Sequence, residues 1–276
     1  MSADPESLDC MELWAALGNA RSPRLIDLRI QDDFQEDPRL LPGALRLDWQ
    51  NVDQWAGRWT GQRVIVYCQG GLKLSQGAAA LLRGQGVDAR ILAGGFEAWR
   101  DAALPLVPAE ALPPRDGRGC TRWVTRARPK IDRVACPWLI RRFVDPDARF
   151  LYVAADQVQA VADRFNAAPF DIPDTRWSHT GDLCSFDAML HGFGLESAAL
   201  TRLAVIVRGA DTSRPDLAPQ AAGLLAVCLG LSHLHTSDLD QLEAAMPIYD
   251  AFFRWARDAA EEGHDWVGSG KGYGNV

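Results

Sequence analysis

Residues 64–82 read VIVYCQGGLKLSQGAAALL. A β-branched run ends on one cysteine, two glycines follow, and a helix starts. A core strand gains nothing from that ending, whereas a nucleophilic sulfur does. Gln69, Gly70, Gly71, Leu72 and Lys73 are expected to close a tight loop between Cys68 and a helix beginning near Ser75. Glycine lets main-chain N–H groups turn inward and form a concave anion nest. The helix N-terminus adds about half a positive charge. Together they should depress the Cys68 thiol pKa and cradle a thiolate, or the persulfide anion left by sulfur transfer. The plainer alternative is a buried thiol that happens to end a strand.

Two further groups could do chemistry. His179, Cys184 and Asp187 lie in HTGDLCSFD, and Asp211 lies in RGAD. Imidazole with carboxylates suits Zn, Fe or Mn. The His–x4–Cys–x2–Asp spacing is not by itself a metal pattern, and Asp182 or Asp187 could equally cap a helix. Lys130, Arg133 and Arg141, in PKIDR and WLIRRF, form the other group. Arginine forks suit oxyanions such as sulfate; the alternative is a solvated helix face with ion pairs. His191, His233 and His235 read as surface residues. Trp138, Phe143, Phe252, Phe253 and Trp255 read as core, as do Cys136 and Cys228.

The elements that must position these groups change character along the chain. In the first part a helix is expected at 7–18, strands at 24–29 and 64–68, a helix at 75–85, a strand at 88–95 and a short helix over FEAWRDA. Strands alternating with helices predict a parallel sheet covered on both faces. Ligands then bind beyond the carboxyl ends of strands, where Cys68 falls. Residues 104–119 carry four prolines and two glycines and no period, which marks a semi-rigid spacer. The second part is mainly helical. A helix is expected to begin at CPWLIRRFV, with Pro137 in its first turn. Others are expected at 156–166, 196–208, 217–230 and 238–262, the last interrupted by Pro247. FLYV (150–153) is the strand expected there.

The chain has 276 residues, enough for two ordinary domains. Apolar residues make up 47% and charged residues 24%, the composition of a globular protein. A net charge of −7 disfavours a general nucleic-acid binder. No run approaches the roughly 20 apolar residues of a membrane span. The opening MSADPESLDC is acidic and polar, unlike a secretory signal, so the cytoplasm is expected. The six cysteines are scattered without a CxxC pair, and read as free thiols in that compartment.

The order LIDLR…LPGALRL…VIVYCQGGLKLSQGAAALL…ILAGGFEAW resembles a single-domain rhodanese, a sulfurtransferase, over about residues 8–103. The resemblance implies that Cys68 is the nucleophile and that Asp27 and Arg29, matching a DxR after the first core strand, belong to its catalytic set. It also implies that Lys73 is the basic residue closing a six-residue loop, and that GGFEAW is the terminal signature. It departs at Gln69, where arginine is common, and at Leu74, where serine is common. The order RWVTRARPKIDRVACPWLIRRFVDPDARFLYV, HTGDLCSFDAMLHGFGL, LAVIVRGADT, APQAAGLLAVCLGLS, YDAFFRWAR resembles the ChrB-type chromate-resistance domain over about residues 121–260.

These resemblances imply a rhodanese domain at 1–103, a Pro-rich linker at 104–120, a chromate-resistance domain at 121–263 and a flexible tail at 264–276. The fold expected is a rhodanese-like parallel sheet flanked by helices, then a second, mainly helical α+β domain. The expected function is transfer of sulfane sulfur from thiosulfate or a similar donor, through a Cys68 persulfide, to a thiol or cyanide. No cofactor is required for that step; Zn, Fe or Mn is considered for the second domain. Partners are small sulfur donors, thiol acceptors and an oxyanion, with no nucleic acid and no membrane. The alternative is a non-enzymatic sensor of chromate, another oxyanion or metal, or an interaction protein, with an inactive rhodanese module.

Overall fold

The computed structural model describes residues 6–263; the tail expected at 264–276 falls outside the described residues. The first lobe runs β1 (Ser7–Leu8), α1 (Cys10–Ala16), β2 (Arg24–Asp27), α2 (Gln31–Glu36), β3 (Arg39–Leu40), β4 (Ala44–Arg46) and α3 (Val52–Trp55). It continues with β5 (Arg63–Tyr67), α4 (Lys73–Gly84), β6 (Asp88–Leu92) and α5 (Gly95–Asp101). Five strands form a wholly parallel sheet in the order β1-β6-β5-β2-β4. Pleating sends alternate residues of β5 to opposite faces. Ile65 and Tyr67 pack with Leu13 of α1 and with Phe96 and Trp99 of α5. Val64 and Val66 pack with Val52 of α3 and with Ala78, Ala79 and Leu82 of α4. Burial on both faces explains the unbroken apolar run before Cys68.

Helix α1 is shorter than the expected 7–18. Asp9 caps it, accepting from the Glu12 N–H at 2.7 Å while Glu12 Oε2 accepts from the Asp9 N–H at 3.1 Å. This reciprocal box sets the start, and Ser7–Leu8 are drawn into the sheet beside β6. Helix α4 begins at Lys73, two residues before the expected 75.

The proline-rich stretch is not a free spacer. β7 (Val107–Pro108) pairs antiparallel with β3, and Leu106, Val107 and Ala111 are buried.

The second lobe follows as β8 (Arg122–Arg126), α6 (Ile131–Phe143), β9 (Arg149–Val153), α7 (Val158–Phe165) and β10 (Ala168–Pro169). Helices α8 (Ser185–Gly192), α9 (Ala198–Asp211), α10 (Ala221–Leu234) and α11 (Asp238–Asp258) complete it. Three parallel strands, in the order β10-β8-β9, lie under α7. FLYV falls in β9; β8 and β10 were not expected, because RWVTR was read only as the start of a helical region. Helix α6 starts at Ile131, six residues before the expected proline. Pro137 lies inside it and cannot donate to the Arg133 carbonyl. The Tyr152 hydroxyl donates to that carbonyl instead, at 3.0 Å, so the helix continues through the proline. Likewise α11 runs unbroken through Pro247.

Aromatic rings centre this lobe. Trp138 meets Phe143, Phe186, Tyr249 and Phe253 at centroid distances of 5.7–6.4 Å. The same core continues into the first lobe, where Trp14 lies 6.1 Å from Phe143 and from Trp99. Asp147 accepts ion pairs from Arg24 and Arg58 across the junction. Among the described residues no helix is long and apolar enough to cross a membrane.

Candidate functional site

The central strand β5 delivers Cys68 to the carboxyl end of the sheet, as the alternation of strands and helices requires. The loop that follows is fixed from outside by the start of α5. The Phe96 N–H donates to the Cys68 carbonyl at 3.0 Å, and the Glu97 N–H to the Gln69 carbonyl at 3.1 Å. Two glycines make this approach possible. Gly71 has φ +67°, and a Cβ there would lie 2.6 Å from the Leu92 carbonyl oxygen. Gly95 has φ +59°, and its Cβ would lie 2.3 Å from the Cys68 carbonyl oxygen. The GGF sequence is therefore a docking surface for the cysteine loop.

Cys68 is 6% exposed. Its Sγ accepts a hydrogen bond from the buried Ser75 hydroxyl at 2.9 Å. Among the described residues, the main-chain N–H groups of residues 70–75 donate no hydrogen bond. N–H groups without a main-chain partner are free to serve an anion at this loop. Gln69 and Gly70 are half-buried, and Gly71 is buried. Leu72 and Lys73, at the loop's end, are exposed. Ser75 was not singled out from sequence. With the helix expected to begin near it, a serine there reads as a cap; in the structure it is the third residue of α4 and its hydroxyl turns to Sγ instead.

Asp27 and Arg29 need a different role from the catalytic one expected. Both side chains are fully buried and pair with each other, with Arg29 Nη2 2.7 Å from Asp27 Oδ2. Arg29 also donates to the carbonyls of Asp37 and Arg39 and lies 3.8 Å over the Phe96 ring. Neither side chain is open to a sulfur donor. Asp27 holds Arg29, Arg29 packs on Phe96, and the Phe96 N–H holds the loop, an arrangement suited to positioning.

In the second lobe His179 and Asp211 come together as expected; Cys184 touches the cluster through Asp132 without being one of its grouped donors, and Asp187 is not one of them either. Cys184 is the cap residue of α8, and Asp187 Oδ2 accepts from its N–H at 3.0 Å and from its thiol at 3.2 Å. That is the helix-cap alternative. Burial, then the charge of Asp132, pushes the Cys184 thiol up strongly. The true neighbours of His179 are Asp132, second residue of α6, and Asp171, just after β10. His179 Nε2 lies 3.4 Å from Asp132 Oδ2, 3.4 Å from Asp171 Oδ1 and 3.2 Å from Asp211 Oδ2. Asp132 was read from sequence only with the basic residues beside it, and Asp171 not at all. They lie 47 and 8 residues from His179, and only the fold brings them together.

Helix starts hold two of these carboxylates in place. The Ser185 N–H, at the start of α8, donates to Asp132 Oδ2 at 2.5 Å, and the Ser185 hydroxyl to Asp171 Oδ1 at 2.9 Å. The Asp132 N–H, at the start of α6, faces Asp211 Oδ1 at 3.4 Å. Hydrogen bonding to Asp132 and the surrounding carboxylate charge raise His179 to about 9. Burial, then the charges of Asp132 and Asp171, raise Asp211 to about 7. Burial also raises Asp132.

The three cations expected to bind an oxyanion are separately engaged. Arg133 pairs with Asp171 at 3.2 Å and donates to the carbonyls of Arg126 and Ala127. Arg141 pairs with Glu243 and lies over Phe150. Lys130 is exposed at the start of α6. This is the ion-paired alternative, and of the three only Arg133 reaches the carboxylate cluster, through Asp171.

Comparison with known proteins matches both halves. The model of a rhodanese-like domain matches residues 10–102, and that of the ChrB C-terminal domain matches residues 123–256. Protein ChrB of Cupriavidus metallidurans is 34% identical over 171 residues, covering 56% of this chain and 50% of that protein. The chain thus spans about half the length of this curated relative. A rhodanese-like domain protein from Staphylococcus aureus is 21% identical over 34% of this chain and 90% of its own, with TM-score 0.31. A thiosulfate sulfurtransferase from Pseudomonas aeruginosa is 26% identical over 40% of this chain and 21% of its own, with TM-score 0.34. The chain is a fusion of two families, a rhodanese-like domain followed by a ChrB C-terminal domain.

Proposed function

We propose that the first domain is a rhodanese-type sulfurtransferase that carries sulfane sulfur on Cys68, serving a protein of chromate resistance. The Cys68 thiolate attacks the outer sulfur of thiosulfate. The S–S bond of the donor breaks, and sulfite leaves with the electron pair. Cyanide or a thiolate then takes the outer sulfur from the persulfide and returns the Cys68 thiolate. No external oxidant or reductant enters, so the step needs no cofactor.

The observation that carries this reading is the sulfur's surroundings. A buried hydroxyl donates to Sγ at 2.9 Å, and the loop's N–H groups are otherwise unused among the described residues. A hydroxyl donor and unengaged main-chain N–H groups in the same loop support a loop that handles an anionic sulfur compound. The acceptors and donors are small sulfur compounds and thiols of a reducing compartment, the cytoplasm. The six cysteines, all free and buried, suit that setting.

Intact-mass measurement after thiosulfate treatment tests the proposal. Wild type should gain one sulfur atom, lose it on adding cyanide, and Cys68→Ser should gain none. A gain retained by Cys68→Ser overturns the assignment of the nucleophile. No gain in wild type overturns the activity and leaves a non-enzymatic binding module.

A further inference from the structure

We propose that Asp132, His179 and Asp211, with Asp171 beside them, hold one divalent transition-metal ion. This goes beyond the sulfur chemistry of Cys68 and rests on other residues in the other lobe.

The first argument is geometric. One ligand atom each from Asp132, His179 and Asp211 lies within 4.8 Å of the others. Metal–ligand bonds of about 2.0–2.2 Å in a tetrahedral site put neighbouring donors about 3.4 Å apart. The three carboxylate oxygens lie 3.2–3.4 Å from His179 Nε2. A charge-assisted N–H···O bond is shorter, about 2.7–2.9 Å, and one Nε2–H serves one acceptor well. A hydrogen bond to Asp132 uses that one N–H, and three oxygens at near-equal distances are more than it can serve, which fits donors gathered around a shared centre.

The second argument is an orphaned atom. Asp132 is 1% exposed, and its Oδ1 is shut from solvent with no hydrogen-bond partner. A buried carboxylate oxygen without a donor is costly, and a cation held by both oxygens of Asp132, with Oδ2 already facing His179, removes that cost.

Charge gives the third argument. Arg126 and Arg133 both pair with Asp171. The three carboxylates outnumber these two guanidiniums, so the cluster keeps a negative balance that a cation offsets. Ser185 orients two of the carboxylates from behind, the supporting role that outer partners play at metal centres. His179 is 41% exposed and Asp211 19%, so an ion can enter from solvent. One imidazole with carboxylate oxygens and no thiolate favours Mn(II), Fe(II) or Zn(II) over soft ions such as Cu(I).

Calorimetric titration of the chelator-stripped full chain with MnCl2, then separately with ZnCl2, tests this. Mn(II) is the primary probe because it has little affinity for the six thiols. Wild type should bind about one equivalent. Asp132→Asn and His179→Gln should bind at least roughly tenfold more weakly, while Asp182→Asn, exposed on the same loop, should match wild type. Asp211→Asn, at a helix end and partly exposed, serves if the buried variant fails to fold. Uptake of neither ion by wild type overturns the proposal. So does unaltered affinity in the folded variants. Persulfide formation at Cys68 is read separately by mass, so failure of either proposal is distinguishable from failure of the other.

Discussion

Ser75 donates to the sulfur on which the proposed chemistry depends, and nothing else in its position calls for a hydroxyl. Replacing it with alanine removes one hydrogen bond to the attacking sulfur and little packing. A bond of this kind is worth about 1–1.5 kcal/mol, or roughly tenfold in rate. Ser75→Ala should therefore slow persulfide formation about tenfold while leaving the melting temperature within about two degrees. Timed intact-mass measurement after thiosulfate addition checks this; an unchanged rate removes Ser75 from the mechanism. Cys68 was legible in the sequence because a β-branched run ending in cysteine and glycine has few other uses. The carboxylates were only half legible. His179 and Asp211 drew notice as types, but Cys184 and Asp187, near His179 in sequence, were preferred to Asp132 and Asp171, near it in space. Short spacing suggested a shared site where helix capping was the actual cause.

The cysteine loop is held by its neighbours more than by itself. Helix α5 supplies N–H groups to two loop carbonyls, and Arg29 presses on Phe96 at the start of that helix. The same guanidinium ties down the carbonyls of Asp37 and Arg39. Arg29→Leu leaves Asp27 as a buried, unpaired charge, which costs about 3–5 kcal/mol. Urea unfolding should show that loss. Folded Arg29→Leu should also form persulfide more slowly, because α5 no longer fixes the loop; wild-type stability would refute the positioning role. The parallel sheet was readable from alternation alone, since strands buried on both faces must be apolar throughout. Element boundaries were less so. Pro137 signalled a helix start because a proline usually lacks a substitute donor inside a helix, and the Tyr152 hydroxyl that supplies one comes from a later strand.

At the scale of the molecule the two families share one interior. Trp14 of the first lobe meets Phe143 of the second, and Phe143 meets Phe253 at 5.3 Å. A continuous apolar core predicts one unfolding transition rather than two. Phe143→Ala should cost about 3–5 kcal/mol and move that single transition down as a whole. Calorimetric scanning checks this, and two separate peaks in wild type would contradict it. The family resemblances were legible because each rests on several motifs in order. Their union was not, since nothing in a proline-rich stretch says that it lies against the preceding domain.

That stretch changes what a peptide bond contributes here. Its strand hydrogen-bonds back onto β3, while aromatic rings and the shared Asp147 clasp the lobes elsewhere. Severing the backbone near the exposed Arg118 would leave two pieces still gripping each other, so covalent continuity is redundant for cohesion once the chain has folded.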